Sequence, residues 1–251
     1  MLKIRVPLPN SREVTSIAES YEMPTLQQVL QMPRCTSLSP FANCAVMVAI
    51  YRQCFDHIND WTQLSSYPFW DTYFRIDQLI SNCRDNKFSQ HLGMYGSASD
   101  RPLCLMIRII LAAVEIKLHE TAITKVENEH LPVSISNEAV TKCQLGARVI
   151  EETVRTGQRL AGEELQIFQQ SSHIFAWAMT KAIQTNLWML HHRKDNVATL
   201  VDALRSLSLS TRELVDPRHL RPGLLEQVDA KISEAERLQK KRPIQALGGH
   251  F

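Results

Sequence analysis

Apolar residues recur along this chain at intervals of three and four, the period of a helix with one buried face. Ser39-Pro40 predicts the start of a first long helix, with a hydroxyl at the cap and proline at the first helical position, where its missing N–H is not needed. Phe41, Cys44, Ala45, Val48, Tyr51, Phe55 and Ile58 give its stripe. The segment 69–83 repeats the pattern with Phe69, Tyr73, Ile76, Leu79, Ile80 and Cys83 inward, and Asp71, Arg75, Asp77 and Gln78 outward. The run 101–129 is the longest, carrying Leu103, Met106, Ile110, Ala113, Val114, Lys117 and Ile123 on one side until Leu131-Pro132 stops it. A helix from near Ser136 turns Val140, Cys143, Ala147, Ile150 and Val154 inward. Gly157 and Gly162 bound a linker, 167–192 reads as one central apolar helix, and 196–209 as an amphipathic one with Val197, Leu200, Val201, Leu204 and Leu207.

The two ends differ from this middle. Residues 1–38 hold Pro7, Pro9, Pro24 and Pro33, with Pro40 just beyond, which predicts an extended leader relieved only by a short helical turn over 25–30 capped by Thr25. Residues 210–251 are charged, contain Pro217 and Pro222, and carry one amphipathic helix lined by Leu225, Val228, Ile232, Ala235 and Leu238. That stripe is short for a dimerising coiled coil, little more than two heptads. Alternating strand patterns fail everywhere except marginally over 1–8, and no solenoid period appears. The expected architecture is all-α: an irregular multi-helix bundle over 39–209, with the leader before it and a charged helical tail after it.

Composition narrows the functional classes. The chain has 251 residues, 44% of them hydrophobic, enough for one substantial core. Only 8 are glycine, which argues against phosphate loops and tight hairpins. A formal net charge of +2 is far below what a phosphate-neutralising surface needs. Cys35, Cys44, Cys54, Cys83, Cys104 and Cys143 are separated by 9, 10, 29, 21 and 39 residues, so no pair has zinc-knuckle or redox-dithiol spacing, and buried free thiols are expected. Residues 1–10 lack the apolar core of a secretory leader. The most apolar stretch, 167–190, is interrupted by Gln169, Gln170, His173, Lys181, Gln184 and Asn186, so no membrane span is expected.

Candidate chemistry is sparse. No phosphate-binding glycine loop, nucleophile elbow or paired-histidine zinc motif occurs, so catalytic, cofactor-binding and metal sites are all expected to be absent. His119-Glu120 comes nearest to a zinc helix, but Ile123 occupies the position of a second histidine, which favours a hydrogen-bonded core role for His119. The adjacent pairs Glu151-Glu152 and Glu163-Glu164 diverge by about 100° on a helix and solvate a surface. His191-His192-Arg193-Lys194 suits a helix C-terminus, and 237–243 is a short basic run. Trp177 and Trp188, with Phe168 and Phe175, give the 167–192 segment an aromatic face for packing or for an effector or partner contact. The alternative of a helical small-molecule carrier or enzyme requires an apolar pocket at Trp177 and Trp188 with His119, Glu120 or His173 converging on it.

Several segments together carry a family resemblance. Leu8-Pro9 and Pro24-Thr25-Leu26, Ser39-Pro40-Phe41-Ala42 into Tyr51-Arg52 and His57-Ile58, Phe69-Trp70 with Asp77, Leu79-Ile80 and Ser81-Asn82, and Leu118-His119-Glu120 with Ala122-Ile123 follow one another in a familiar order. Leu131-Pro132 with Cys143, Ala147 and Ile150 continues the series. Over roughly residues 8–207 the chain resembles the regulatory, or middle homology, domain of fungal zinc-cluster transcription factors, in particular the xylanolytic-activator-like group. The resemblance implies an all-helical, non-enzymatic regulatory domain of a nuclear protein, acting through protein partners such as a full-length zinc-cluster factor. The family's six-cysteine DNA-reading module has no counterpart in these spacings, so direct sequence-specific DNA binding is not implied.

Overall fold

Helix α1 (Pro40–Asp60) begins on the proline expected at a first helical position. It is followed by α2 (Ser66–Cys83), α3 (Asp100–Asn128), α4 (Val133–Gln158), α5 (Gly162–Gln170), α6 (Ser172–His192) and α7 (Val197–Leu214), a 3-10 turn at Pro217–His219, and α8 (Leu224–Ala246). This computed structural model describes residues 30, 40–60, 66–84, 100–192 and 196–246. Every regular element among them is helical, as the periodicity predicts. Apart from Leu30, the proline-rich leader with its Thr25 cap lies outside the described residues, as does Ser39.

Helix α3 occupies the centre. From Leu111 to Ile116 six consecutive residues are buried, which a helix with one apolar stripe cannot produce. One side of α3, with Leu105, Ile109, Ala112, Ala113 and Ile116, packs into a cluster with α4 to α8. The other side, with Ile107, Leu111, Val114, Leu118 and Ala122, packs into a second cluster with α1 and α2. The single stripe read from the sequence is therefore corrected: Ala113 and Val114 are buried, while Leu103, Met106, Ile110, Lys117 and Ile123 are half-buried. The helix ends where His130 turns left-handed (φ 53°) and the Leu131 N–H bonds back to the Val126 carbonyl at 3.0 Å. This is a Schellman stop with histidine in glycine's usual place.

The stripe of α1 also needs correcting. Its buried line is Ala42, Val46, Ile50, Cys54 and Ile58, whereas Val48 is 57% exposed and Tyr51 37%. This helix carries apolar residues on two faces, and spacing alone does not say which one meets the core. In α2 the expected inward residues Phe69, Tyr73, Ile76, Ile80 and Cys83 are buried. Asp77, expected on the wet side, instead turns toward α3. The inward faces of α4 and α7 are those the sequence predicts, except that Val197 is half-buried and α7 continues past 209 to Leu214.

The segment 167–192 is not one helix. Ser171 breaks it: its N–H is shared between the Ile167 and Phe168 carbonyls, both at 3.2 Å, and its hydroxyl donates to the Ile167 carbonyl at 2.9 Å. Gly157 does not begin a linker either. It lies inside α4, where a methyl group would stand 2.2 Å from Cζ of Phe168. Phe168, fully buried, stacks on Phe175 with ring centres 5.0 Å apart, so these two rings fill the core, away from Trp188. The tail packs back on the bundle: Leu224, Val228, Ile232 and Ala235 join the core that holds Leu204, Leu207 and Leu214. Arg205–Glu236 and Arg212–Asp229 ion pairs tie α7 to α8. The stripe considered for a coiled coil is thus spent within the chain, apart from exposed Leu238.

The Gly157 contact makes a prediction. Ala normally gains about 1 kcal/mol over Gly inside a helix, but the enclosed Phe168 ring has no room to move. Gly157→Ala is expected to lose ~1–3 kcal/mol of unfolding free energy in urea denaturation. Adding Phe168→Leu should recover part of the Ala penalty in a double-mutant cycle; additive losses would contradict the contact.

Candidate functional site

Six polar side chains from three helices and their edges meet beside the core. Tyr73 and Asp77 are four residues apart on α2, and Glu115 and His119 four apart on α3, so each pair lies on one helix face. Lys142 from α4 and Arg84, just past α2, complete the group. The Tyr73 hydroxyl lies 2.8 Å from His119 Nδ1, and Asp77 Oδ1 lies 3.4 Å from Nε2. Lys142 Nζ donates to Asp77 Oδ2 at 2.5 Å, and Arg84 Nη1 to Glu115 Oε1 at 2.6 Å. With Nδ1 accepting from Tyr73, the Nε2 proton faces Asp77, the tautomer that avoids opposing two lone pairs.

His119 is completely enclosed. Burial, reinforced by the positive charges of Lys142 and Arg84, pushes its pKa down to about 3, so the imidazole is neutral at ordinary pH. Burial raises the Glu115 carboxyl against the pull of Arg84 and drives the Tyr73 hydroxyl well above its usual range. Ligand atoms of Asp77, Glu115 and His119 lie within 4.8 Å of one another, close enough to ask whether a metal fits. Each carboxylate already holds a cation, however, and a divalent ion would add two uncompensated charges to a buried, balanced site. The arrangement ties α2 to α3 and α4.

A groove lies on the other side of this region, between the second half of α3 and α6, with α4 beneath it and Ile58 of α1 at one edge. It encloses about 460 Å³. Ile123, Val140, Cys143 and Trp188 supply apolar wall, and Lys117, Glu120, Glu127 and Thr185 supply polar groups. Trp188 stacks on His192 with ring centres 4.5 Å apart and remains 37% exposed. Trp177 is elsewhere, edge-on to Tyr51 at 6.4 Å and tilted against Phe55 at 6.1 Å. His173 is exposed, 3.1 Å from the Gln170 carbonyl, and Glu120 pairs with Lys181 at 2.9 Å. His119, Glu120 and His173 therefore do not converge, and the enzyme alternative that required them to is dropped.

The remaining sequence candidates find ordinary places. Glu163 and Glu164 stand in the first turn of α5, where the helix dipole favours them, and His191 and His192 in the last turn of α6. Among the described cysteines, burial lifts the Cys54 thiol to about 12 and Cys143 higher still, which leaves both unreactive. Of the polar cluster, the sequence singled out His119 alone. Glu115 carried a signal that was missed, a lone carboxylate inside the apolar run 109–118.

The chain is 24% identical over 237 residues to the depudecin biosynthesis cluster-specific transcription activator of Fusarium langsethiae, a match covering 92% of this chain and 38% of that protein. It is similar to fungal transcription activators. Against the depudecin activator of Alternaria brassicicola it is 26% identical over 189 residues, 72% of this chain and 27% of the relative. The chain thus spans well under half the length of the curated relatives it matches. No family model matches it, and no solved structure does. Among the described residues, no helix is long and apolar enough to cross a membrane.

Neutral, buried His119 ties stability to pH. The unfolded chain takes up a proton near pH 6.5 that the folded chain refuses until about pH 3, so this group destabilises the fold progressively as pH falls through that window. The effect is up to ~1.4 kcal/mol per pH unit. Urea denaturation between pH 4 and 8 should show a shallower slope for His119→Gln, by about one proton. Identical slopes would show that His119 protonates freely in the folded state.

Proposed function

We propose that this chain is a transcription-regulatory domain of the fungal zinc-cluster type, close to the middle homology domain of the xylanolytic-activator-like group, acting in the nucleus through contacts with protein partners. The observation that carries this reading is the similarity to a cluster-specific transcription activator across 92% of the chain. An all-helical architecture is what the family resemblance implies. The net charge of +2 fits a domain that does not itself grip the phosphate backbone, so the DNA-reading step is assigned to a zinc-cluster module outside residues 1–251 or on a full-length partner. Tyr51, Phe55 and Trp177 form a half-exposed aromatic face suited to a protein partner. His119 is enclosed and acts only by holding α2 against α3.

Two measurements test the proposal. Fused to a heterologous DNA-binding domain in a fungal reporter strain, the chain should alter reporter output several-fold relative to that domain alone while accumulating in the nucleus. Purified by itself, it should retard duplex DNA weakly, without sequence preference, and lose that binding between about 50 and 200 mM salt. A nuclear fusion that leaves the reporter unchanged would overturn the regulatory role. Tight, sequence-selective retardation would overturn the division of labour.

A further inference from the structure

The groove between α3 and α6 has the dimensions and chemistry of a ligand site. Its volume of about 460 Å³ falls within the range of roughly 300–1,000 Å³ for small-molecule pockets. Its wall combines an aromatic surface, Trp188, with the branched side chains of Ile123 and Val140. One polar group on the wall is unmatched: Thr185 is 5% exposed, and its hydroxyl oxygen has no hydrogen-bond partner among the described residues. Buried hydroxyls are almost always paired, because leaving one unpaired costs about 1–3 kcal/mol.

Charge gives the groove a direction. Lys117 and Lys181 share one carboxylate oxygen, Glu120 Oε2, at 3.6 and 2.9 Å. Two ammonium groups against one carboxylate leave one positive charge at that end. Glu127 lines the groove ten residues further along α3, about 15 Å away at 1.5 Å per residue. An anionic group therefore belongs at the Lys117 end, with an apolar body running over Ile123 toward Trp188.

We propose that this groove binds a small amphipathic anion, a flat apolar ring system bearing a single carboxylate or sulfonate, with its rings on Trp188 and its acid at Lys117. Thr185 supplies a hydrogen bond to the same ligand. The site goes beyond the regulatory reading above. Its test uses the purified full chain without DNA or a reporter, so failure here leaves that reading standing.

The test uses two dyes that differ by one sulfonate group: 1-anilinonaphthalene-8-sulfonate and its neutral parent, N-phenyl-1-naphthylamine. The sulfonate should bind saturably at one site per chain, quenching tryptophan emission by energy transfer, and the neutral parent should bind roughly tenfold more weakly. Lys117→Met should bring the sulfonate down to the affinity of the neutral dye and leave the neutral dye unaffected. Thr124→Trp, which fills the groove from its open side, should abolish binding of both dyes while circular dichroism remains helical. Equal affinity for the two dyes, an unchanged preference in Lys117→Met, or binding that survives a folded Thr124→Trp would each overturn the proposal.

Discussion

Helix α3 is apolar around most of its circumference, and no single neighbour is wide enough to cover it. Its Ile109, Ala112 and Ile116 side requires α4 and the helices beyond it, and its Ile107, Val114 and Leu118 side requires α1 and α2. Burying such side chains contributes about 1.5–3 kcal/mol each for the larger ones. That demand explains the close approach of α4, where Gly146 brings the backbone so near that a methyl group would stand 2.8 Å from Ile116 Cγ1. The remaining helices are arranged by the need to close the two flanks this pairing leaves open.

A helix buried on most of its sides must also find partners for the polar groups it buries. Glu115, His119 and Lys125 are all buried on α3. Glu115 is met by Arg84, His119 by Tyr73 and Asp77, and Lys125 by Glu129 at 2.8 Å and by the ring of Phe69, 5.4 Å from its nitrogen. Buried ion pairs often break even against well-packed apolar residues, so the cluster is poor evidence of stability. It is strong evidence of register. Sliding α2 along α3 by one turn would part Arg84 from Glu115 and Asp77 from His119, and sliding α4 would part Lys142 from Asp77 and leave it only Glu138 of its own helix; stranding a buried charge is far costlier than losing an apolar contact.

The same physics decides what the sequence made legible. Helices with one wet side, α4 and α7, announced most of their inward residues, because only one face of each offers an apolar stripe, although α4 runs through Gly157 and α7 continues to Leu214 beyond the expected end at 209. In α1, with apolar residues on two faces, and α3, buried nearly all round, period alone located the helix but not its core side. Asp77 reads as a surface carboxylate until the helix opposite is known to bring His119 and Lys142. Ser171 ends a helix through its own hydroxyl and a shared N–H, inside a run that carries no proline or glycine to mark the break. The groove was legible only as Trp188. Its other walls come from residues 58, 117–127, 140 and 143, and no local pattern links them.

Helix α6 carries Trp177 of the aromatic face and Trp188 of the groove. Trp177 and Trp188 are eleven residues apart, close to three full turns, so they project from the same side of α6 about 16 Å apart. One meets Tyr51 and Phe55 of α1, and the other borders the groove over α3 and α4. Between them Ala178, Met179, Ala182 and Ile183 are fully buried, which holds the intervening turns to the core as one rigid piece. Any shift of Trp188 is therefore resisted by the same packed turns that position Trp177. The break at Ser171 sets where this packed helix begins, and so fixes how far Trp177 and Trp188 stand from its start.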